Sequence, residues 1–181
     1  MGTGTGTQIM DSLSWTHYGL GAFLTSPAFT LTLLIGLLIW AAGSDLKRFI
    51  IPNAAVGIIA TLGLIYQLQT GGPIGETTLI AAVVLAVGFA AFALRIAGAG
   101  DAKLLAALAL FAGPSEIFSL IVHTLLIGGG LSVFWLLSRP LRHGLVVAGF
   151  AIQPEPGRRL PYGIAIAGGA LFMVGRLWPA F

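Results

Sequence analysis

An all-α integral membrane protein, a bundle of about six transmembrane helices, is the fold class this sequence predicts. Three observations carry it. The 181 residues are 57% hydrophobic and only 8% charged, against about 25% charged in ordinary soluble domains. Several apolar runs of about 18 residues or more meet the roughly 20-residue length needed to cross a bilayer as a helix. The basic residues, placed on alternating ends of those runs, sort almost entirely to one side.

The expected elements follow in order. Residues 1–27 open with a low-complexity Gly-Thr repeat and continue as a tail with a short interfacial helix over 8–23, its Trp15 and Tyr18 at headgroup level. No basic stretch precedes an apolar core there, so no cleavable signal peptide is read. The membrane domain is expected over 28–181. Its first span runs from Pro27 to Ser44, followed by polar Asp45-Leu46-Lys47-Arg48. Pro52-Asn53 opens a second span ending near Gln69, and Thr70-Gly71-Gly72-Pro73 is a turn by composition.

A third span is expected from Thr77 to Ala97, with Arg95 near its end. A fourth, Gly100 to Gly113, is short for a full crossing; it could be tilted little, sit where the bilayer thins, or be partly sheltered by its neighbours. Pro114-Ser115 separates it from a fifth, Glu116 to Leu137. Arg139 to Arg159 is a basic connection holding Leu145–Ile152, an apolar stretch too short to cross, and the sixth span is Leu160 to Trp178.

With these spans alternating in direction, Lys47, Arg48, Arg95, Lys103, Arg139, Arg142, Arg158 and Arg159 share one side, and Arg176 alone takes the other. Eight of the nine basic residues mark that side as cytoplasmic, with both termini outside. The net charge of +3 reports topology and implies no nucleic-acid partner. Zero cysteines exclude disulfides and thiolate metal sites. His17, His123 and His143 lack ligand spacing, so no metal and no cofactor is expected.

Of the six acidic residues, Asp11, Glu76, Glu116 and Glu155 fall in tails or connections. Asp45 and Asp101 sit at the cytoplasmic ends of spans, where a carboxylate costs less than the roughly 2.5–3.5 kcal/mol of the bilayer centre but is still expensive. Two carboxylates converging in a low-dielectric site share a proton, so one can activate a water while the other polarises a carbonyl. Such a pair hydrolyses an amide without metal, Cys or Ser. Simpler readings stand beside this one. Asp101 could be the N-cap of the fourth helix, and Asp45 could pair with Lys47 or Arg48. Lys103 could hold Asp101 or a substrate acid, or serve as an inside-positive anchor.

Gly98-Ala99-Gly100-Asp101-Ala102-Lys103 places two glycines before the second carboxylate, leaving room for another backbone to approach. No strand precedes it, so it is not half of a dinucleotide-binding fingerprint. The glycines at 128–130 and 168–169 are expected to permit close helix packing, and His123 to be a hydrogen-bonded packing residue.

At three places the chain resembles the type IV prepilin peptidases, the aspartic membrane proteases with a G-x-G-D signature. Asp45-Leu-Lys-Arg-Phe-Ile-Ile51-Pro52-Asn53 is similar to the family's first Asp and the Ile-Pro-Asn helix start after it. Gly98-Ala-Gly100-Asp101-Ala-Lys103 is similar to the second Asp motif. Leu160-Pro161-Tyr162-Gly163 resembles the opening of the final helix.

The resemblance covers Ala28 to Trp178 and implies Asp45 and Asp101 as the catalytic pair. Gly98, Gly100, Lys103, Pro52, Asn53, Pro161, Tyr162 and Gly163 would support the site or bind substrate. It further implies a bacterial inner-membrane enzyme that cleaves the leader of prepilin or pseudopilin precursors at the cytoplasmic face, alongside pilus-assembly machinery. The short form most resembles the Flp/Tad-type peptidases. The cysteine-containing domain of larger members is missing, so the resemblance extends to the peptidase and not to the N-methyltransferase activity. A small ion-coupled transporter using the Asp pair, or a non-catalytic secretion subunit, are the readings from other classes.

Overall fold

The computed structural model describes residues 25–48, 50–147 and 162–178, and side chains within them as far as residue 134 and again from 162. The described residues contain five helices and no strand. Residues 1–24 of the expected tail and interfacial helix, residues 148–159 of the expected 139–159 connection, and Leu160 and Pro161 lie outside them.

Helix α1, Pro27–Arg48, starts where local chemistry directs it. Ser26 Oγ accepts the Phe29 N–H at 3.3 Å and Pro27 takes the first helical position, where its missing N–H costs nothing. Thr30, Leu31, Leu34, Leu38, Ala41 and Asp45 form its buried stripe, spaced three and four residues apart. Asp45 therefore ends the same face that packs Leu34 and Leu38 into the bundle.

Helix α2, Asn53–Thr70, runs antiparallel to α1, whose Thr30 Oγ1 donates to Gln69 Oε1 at 2.8 Å. It stops at Gly71, which adopts a left-handed conformation (φ 66°, ψ 26°), and the Gly72 N–H returns to the Gln67 carbonyl at 2.8 Å. That is the glycine C-terminus expected of the 70–73 turn.

Helix α3, Ile74–Ala93, buries only Thr77 and Ala81 and touches the bundle along a narrow stripe. It ends four residues before the expected Ala97. Arg95 turns to φ 60°, and the N–H groups of Leu94 and Ile96 close the last turn on Ala90 and Ala91. A left-handed non-glycine residue has no sequence signal comparable to glycine.

The fourth and fifth expected spans both lie in α4, Ala99–Val147, as two helices that meet at a kink at Gly113 (φ 56°, ψ −167°) with no loop between them. Pro114 is the cause. It has no N–H for the Leu110 carbonyl and pushes the residue before it out of the helical region, a conformation glycine accepts. The break is repaired from α2, where Gln67 Nε2 donates to the Leu110 carbonyl at 2.9 Å and lies 3.4 Å from that of Phe111. After the break the helix continues past Leu137 to Val147, into the expected basic connection, because a fall in hydropathy marks departure from the apolar layer rather than the end of a helix.

The first half of α4 is the centre of the bundle. Ala102, Leu104 and every residue from Ala106 to Ala112 are buried, as befits a helix apolar on all sides. Glycines bring its neighbours close: a Cβ on Gly63 of α2 would lie 2.7 Å from Leu110 Cβ, and one on Gly88 of α3 would lie 2.6 Å from Ala102 Cβ. The shelter expected for this short span is what its neighbours provide. Helix α5, Tyr162–Leu177, packs against α1 and the second half of α4, with Gly168 against Ile127 and Gly169 against Thr124. Arg176 Nε meets Glu116 Oε2 at 2.9 Å, the one ion pair among the described residues.

Three helices are long and apolar enough to cross a membrane: Pro27–Arg48, Ile74–Ala93 and the Ala99–Phe134 part of α4. Leu79, Val87, Phe118 and Leu126 are exposed on their outer faces, the surface a bundle presents to lipid tails rather than to water. The protein is a helical membrane protein. Replacing Gln67 with Leu keeps an apolar volume but leaves the Leu110 carbonyl without its donor, at a cost of about 1–3 kcal/mol. A lower unfolding midpoint in detergent is the expected outcome, and an unchanged midpoint would show that the break does not depend on this amide.

Candidate active site

One end of the bundle gathers the C-terminus of α1, the N-terminus of α2, the turn before α4 and the N-terminus of α5. Asp45 arrives there on the buried stripe of α1 and is 5% exposed. Its Oδ2 accepts the Gly163 N–H at 2.8 Å, a bond between residues 118 apart in sequence. Gly163 is the second residue of α5, so this N–H is one of the first-turn donors that have no partner within a helix, at the positive end of the helix dipole. Lys47 and Arg48 are exposed, and neither forms an ion pair with Asp45 among the described residues. Asp45 is thus a buried carboxylate held by backbone, and the simple pairing with a neighbouring cation does not occur.

Asp101 is held in a similar way by a local device. Gly98 is the residue before α4, since its carbonyl receives the first helical bond from Ala102 N–H at 3.2 Å. Asp101 lies three residues further on, and its Oδ2 accepts the Gly98 N–H at 3.1 Å. This is the returning arm of a capping box. The expected N-cap role is corrected accordingly: Asp101 stabilises the helix start from inside the first turn. Ser44 Oγ on the Ile50 carbonyl and the Ile51 side chain against Gly100 join the end of α1 to the start of α4, so the two carboxylates lie at the same end of the bundle. Each commits one oxygen to a glycine N–H. Among the described residues, the other oxygen of each has no hydrogen-bond partner.

Both donors are glycines whose added Cβ would crowd the carboxylate, most severely at Gly163, where it would also meet Asp45 Cβ and Cγ. A Cβ on Gly163 would lie 2.7 Å from Asp45 Oδ2, and one on Gly98 would lie 2.8 Å from Asp101 Oδ2. Gly100 faces the Ile51 side chain, where a Cβ would make an ordinary tight contact at 3.4 Å. The two glycines of the G-x-G-D sequence therefore do different things: the first admits the carboxylate and the second admits Ile51.

Pro52 precedes α2 in an extended conformation (φ −62°, ψ 129°) and Asn53 starts that helix. Lys103 Nζ lies 3.4 Å from Asn53 Oδ1 rather than on Asp101. Residues two apart on a helix do not face each other, so the Lys103 ammonium turns away from the neighbouring carboxylate toward α2. Tyr162 fixes the start of α5 against α4, where a Cβ on Gly128 would lie 2.6 Å from its hydroxyl oxygen. Pro161 lies outside the described residues.

Two contributors carry weaker sequence signals. Ser44 Oγ donates to the Ile50 carbonyl at 2.8 Å and folds the chain back after Asp45, and Ile51 is the buried wedge against Gly100. The Ile51-Pro52-Asn53 run marked the second without showing its partner. His123 stacks on Phe172 with ring centroids 3.7 Å apart, and its Nδ1 lies 2.7 Å from the Ser119 carbonyl, the packing role expected of it. No group of three or more His, Asp or Glu that could hold a metal occurs among the described residues. The arrangement leaves each carboxylate one oxygen for chemistry while a glycine N–H holds the other.

The absence of native cysteines allows a direct check of this convergence. A short bismaleimide should cross-link the Asn53→Cys/Lys103→Cys protein within one chain. The Asn53→Cys/Glu116→Cys protein, with its thiols at opposite ends of the bundle, should remain unlinked. Equal linking of both would refute the placement.

Comparison with curated proteins and with solved structures gave no match. The model of the type IV leader peptidase family matches residues 32–133, a segment that holds both carboxylates, Pro52, Asn53, Gly98, Gly100 and Lys103 and stops short of α5. With more than half of its length inside that match, the chain belongs to the type IV leader peptidase family.

Proposed function

We propose that this protein is a membrane-embedded aspartic endopeptidase that removes the leader peptide of type IV or Flp prepilin-like precursors at the cytoplasmic membrane face. One observation carries the reading: Asp45 and Asp101, on different helices of a leader-peptidase chain, stand at the same end of the bundle, each with one oxygen tied to a glycine N–H. Their side of the bundle also holds Lys47, Arg48, Arg95 and Lys103, the basic excess that favours the cytoplasm in a bacterial inner membrane.

In the reaction, one carboxylate takes a proton from a water whose oxygen attacks the scissile carbonyl carbon. The other carboxyl, protonated, gives its proton to the carbonyl oxygen as the tetrahedral intermediate forms. When the intermediate collapses, the C–N bond breaks, the nitrogen leaves as an amine with the proton the first carboxylate acquired, and one hydroxyl of the intermediate returns its proton to the second carboxylate as the new carboxyl group forms. The pair is then ready to share a proton again. The apolar segment of the precursor lies against the bundle, and its junction enters in extended form beside Gly98. Gly100, Ile51, Pro52 and Asn53 keep the turn between α1 and α2 and the start of α4 in register, and Tyr162 does so for α5. Pilus-assembly components act on the product.

The helix break at Gly113 lies at the end of the bundle opposite the carboxylates. A transporter that moved an ion between the aspartates would use an interrupted helix beside them. Reconstitution with a synthetic prepilin tests the reading directly. Asp45→Asn and Asp101→Asn should each lower leader release by at least roughly 10³-fold while both proteins insert and unfold like the parent. Substantial release by either variant would refute a two-carboxylate mechanism, and ion flux without leader release would favour the transporter.

A further inference from the structure

We propose that Gly163 is a positioning residue for the reaction: its N–H, at the start of α5, sets the orientation of the Asp45 carboxylate. The proposal rests on Asp45 being one of the two catalytic carboxylates. It extends the working site beyond the family-matched segment, which ends at residue 133.

Asp45 reaches the site as the last buried residue of α1, three residues before that helix ends. A helix C-terminus presents carbonyl oxygens and the negative end of the dipole, so α1 itself offers this carboxylate no donor. The donor comes from α5, whose second residue points its otherwise unpartnered N–H at Oδ2 from 2.8 Å. That bond selects which oxygen is spoken for and leaves the other for water or the substrate carbonyl. A side chain adopts one of a few staggered rotamers, and without the bond the carboxylate would have no fixed partner to choose among them.

The fit admits no bulk. A Cβ on residue 163 would come within 2.7 Å of Oδ2 and 3.0 Å of both Cβ and Cγ of Asp45. The start of α5 is itself pinned, with Tyr162 seated at Gly128 of α4 and Gly168 and Gly169 packed on Ile127 and Thr124. A donor mounted on a helix held at several points is a rigid reference for the side chain it meets. Asp101, by contrast, is oriented by its own turn through Gly98. One carboxylate is set locally and the other by a helix distant in sequence.

The full chain made by cell-free synthesis into lipid nanodiscs, with a synthetic prepilin as substrate, provides the test. Gly163→Ala adds the obstructing methyl. Replacing Gly163 by glycolate, which turns the amide into an ester, removes the N–H and adds nothing. Gly168→Ala, equally tight but against Ile127, reports the effect of disturbing α5 packing alone.

Both changes at 163 should lower kcat by roughly 10–100-fold, the scale of a misplaced catalytic group, with KM held within about twofold. Gly168→Ala should spare kcat. Full kcat in the glycolate protein alongside an inactive Asp45→Asn would overturn the positioning role and leave the two-carboxylate mechanism standing. Equal loss of kcat in Gly168→Ala would also overturn it, as would an effect confined to KM. An active Asp45→Asn would instead remove the catalytic reading on which the proposal rests.

Discussion

The bond between the Gly163 N–H and Asp45 is the constraint on which the arrangement of this molecule turns. It spans most of the chain and joins a helix that ends at the site to one that begins there. For it to form, α1 must carry Asp45 inward on its packed face, and α5 must start at the same depth. α5 packs against both α1 and the second half of α4, so its depth also depends on where that second helix is placed. The kink at Gly113, with the Gln67 amide filling in for the N–H that Pro114 lacks, sets that placement. A hydrogen bond at one end of the bundle thus rests on a backbone repair at the other.

Both repairs follow from the same physical demand. Where water is excluded, an unsatisfied backbone group costs several kcal/mol. The orphan N–H groups at the starts of α4 and α5 and the orphan carbonyl before Pro114 each meet a side chain with the complementary group. Two of those side chains are the carboxylates assigned to catalysis. Their structural and chemical roles are compatible because each role uses a different oxygen.

Much of this was legible in the sequence, and for identifiable reasons. Apolar run lengths located the helices because hydropathy tracks exposure to lipid. The turn at 70–73 and the interruption after residue 112 were marked by Gly and Pro, whose backbone limits are intrinsic. Tertiary facts were not legible. A glycine N–H as the partner of Asp45 leaves no trace in residue type, and neither does the turning of Lys103 toward Asn53. That the fourth and fifth spans meet at the single non-helical residue Gly113 was hidden, because a kink and a full loop look alike when read through Gly and Pro alone. The early end of α3 at Ala93 follows from Arg95 in a conformation its residue type does not advertise.

The glycine and alanine seams around the first half of α4 also determine how this protein can evolve. In a water-soluble core the damaging substitutions are mainly those that remove volume. Here the central contacts are between backbones and methyl groups, with Gly63 against Leu110 and Gly88 against Ala102 closer than any added Cβ allows. The bundle is accordingly intolerant of growth. Divergent members of its lineage can exchange one lipid-facing apolar side chain for another along α3 with little consequence, while a single extra methyl at a seam separates two helices. Sequence drift is therefore channelled outward, and the interior remains small-residued however far the surface wanders.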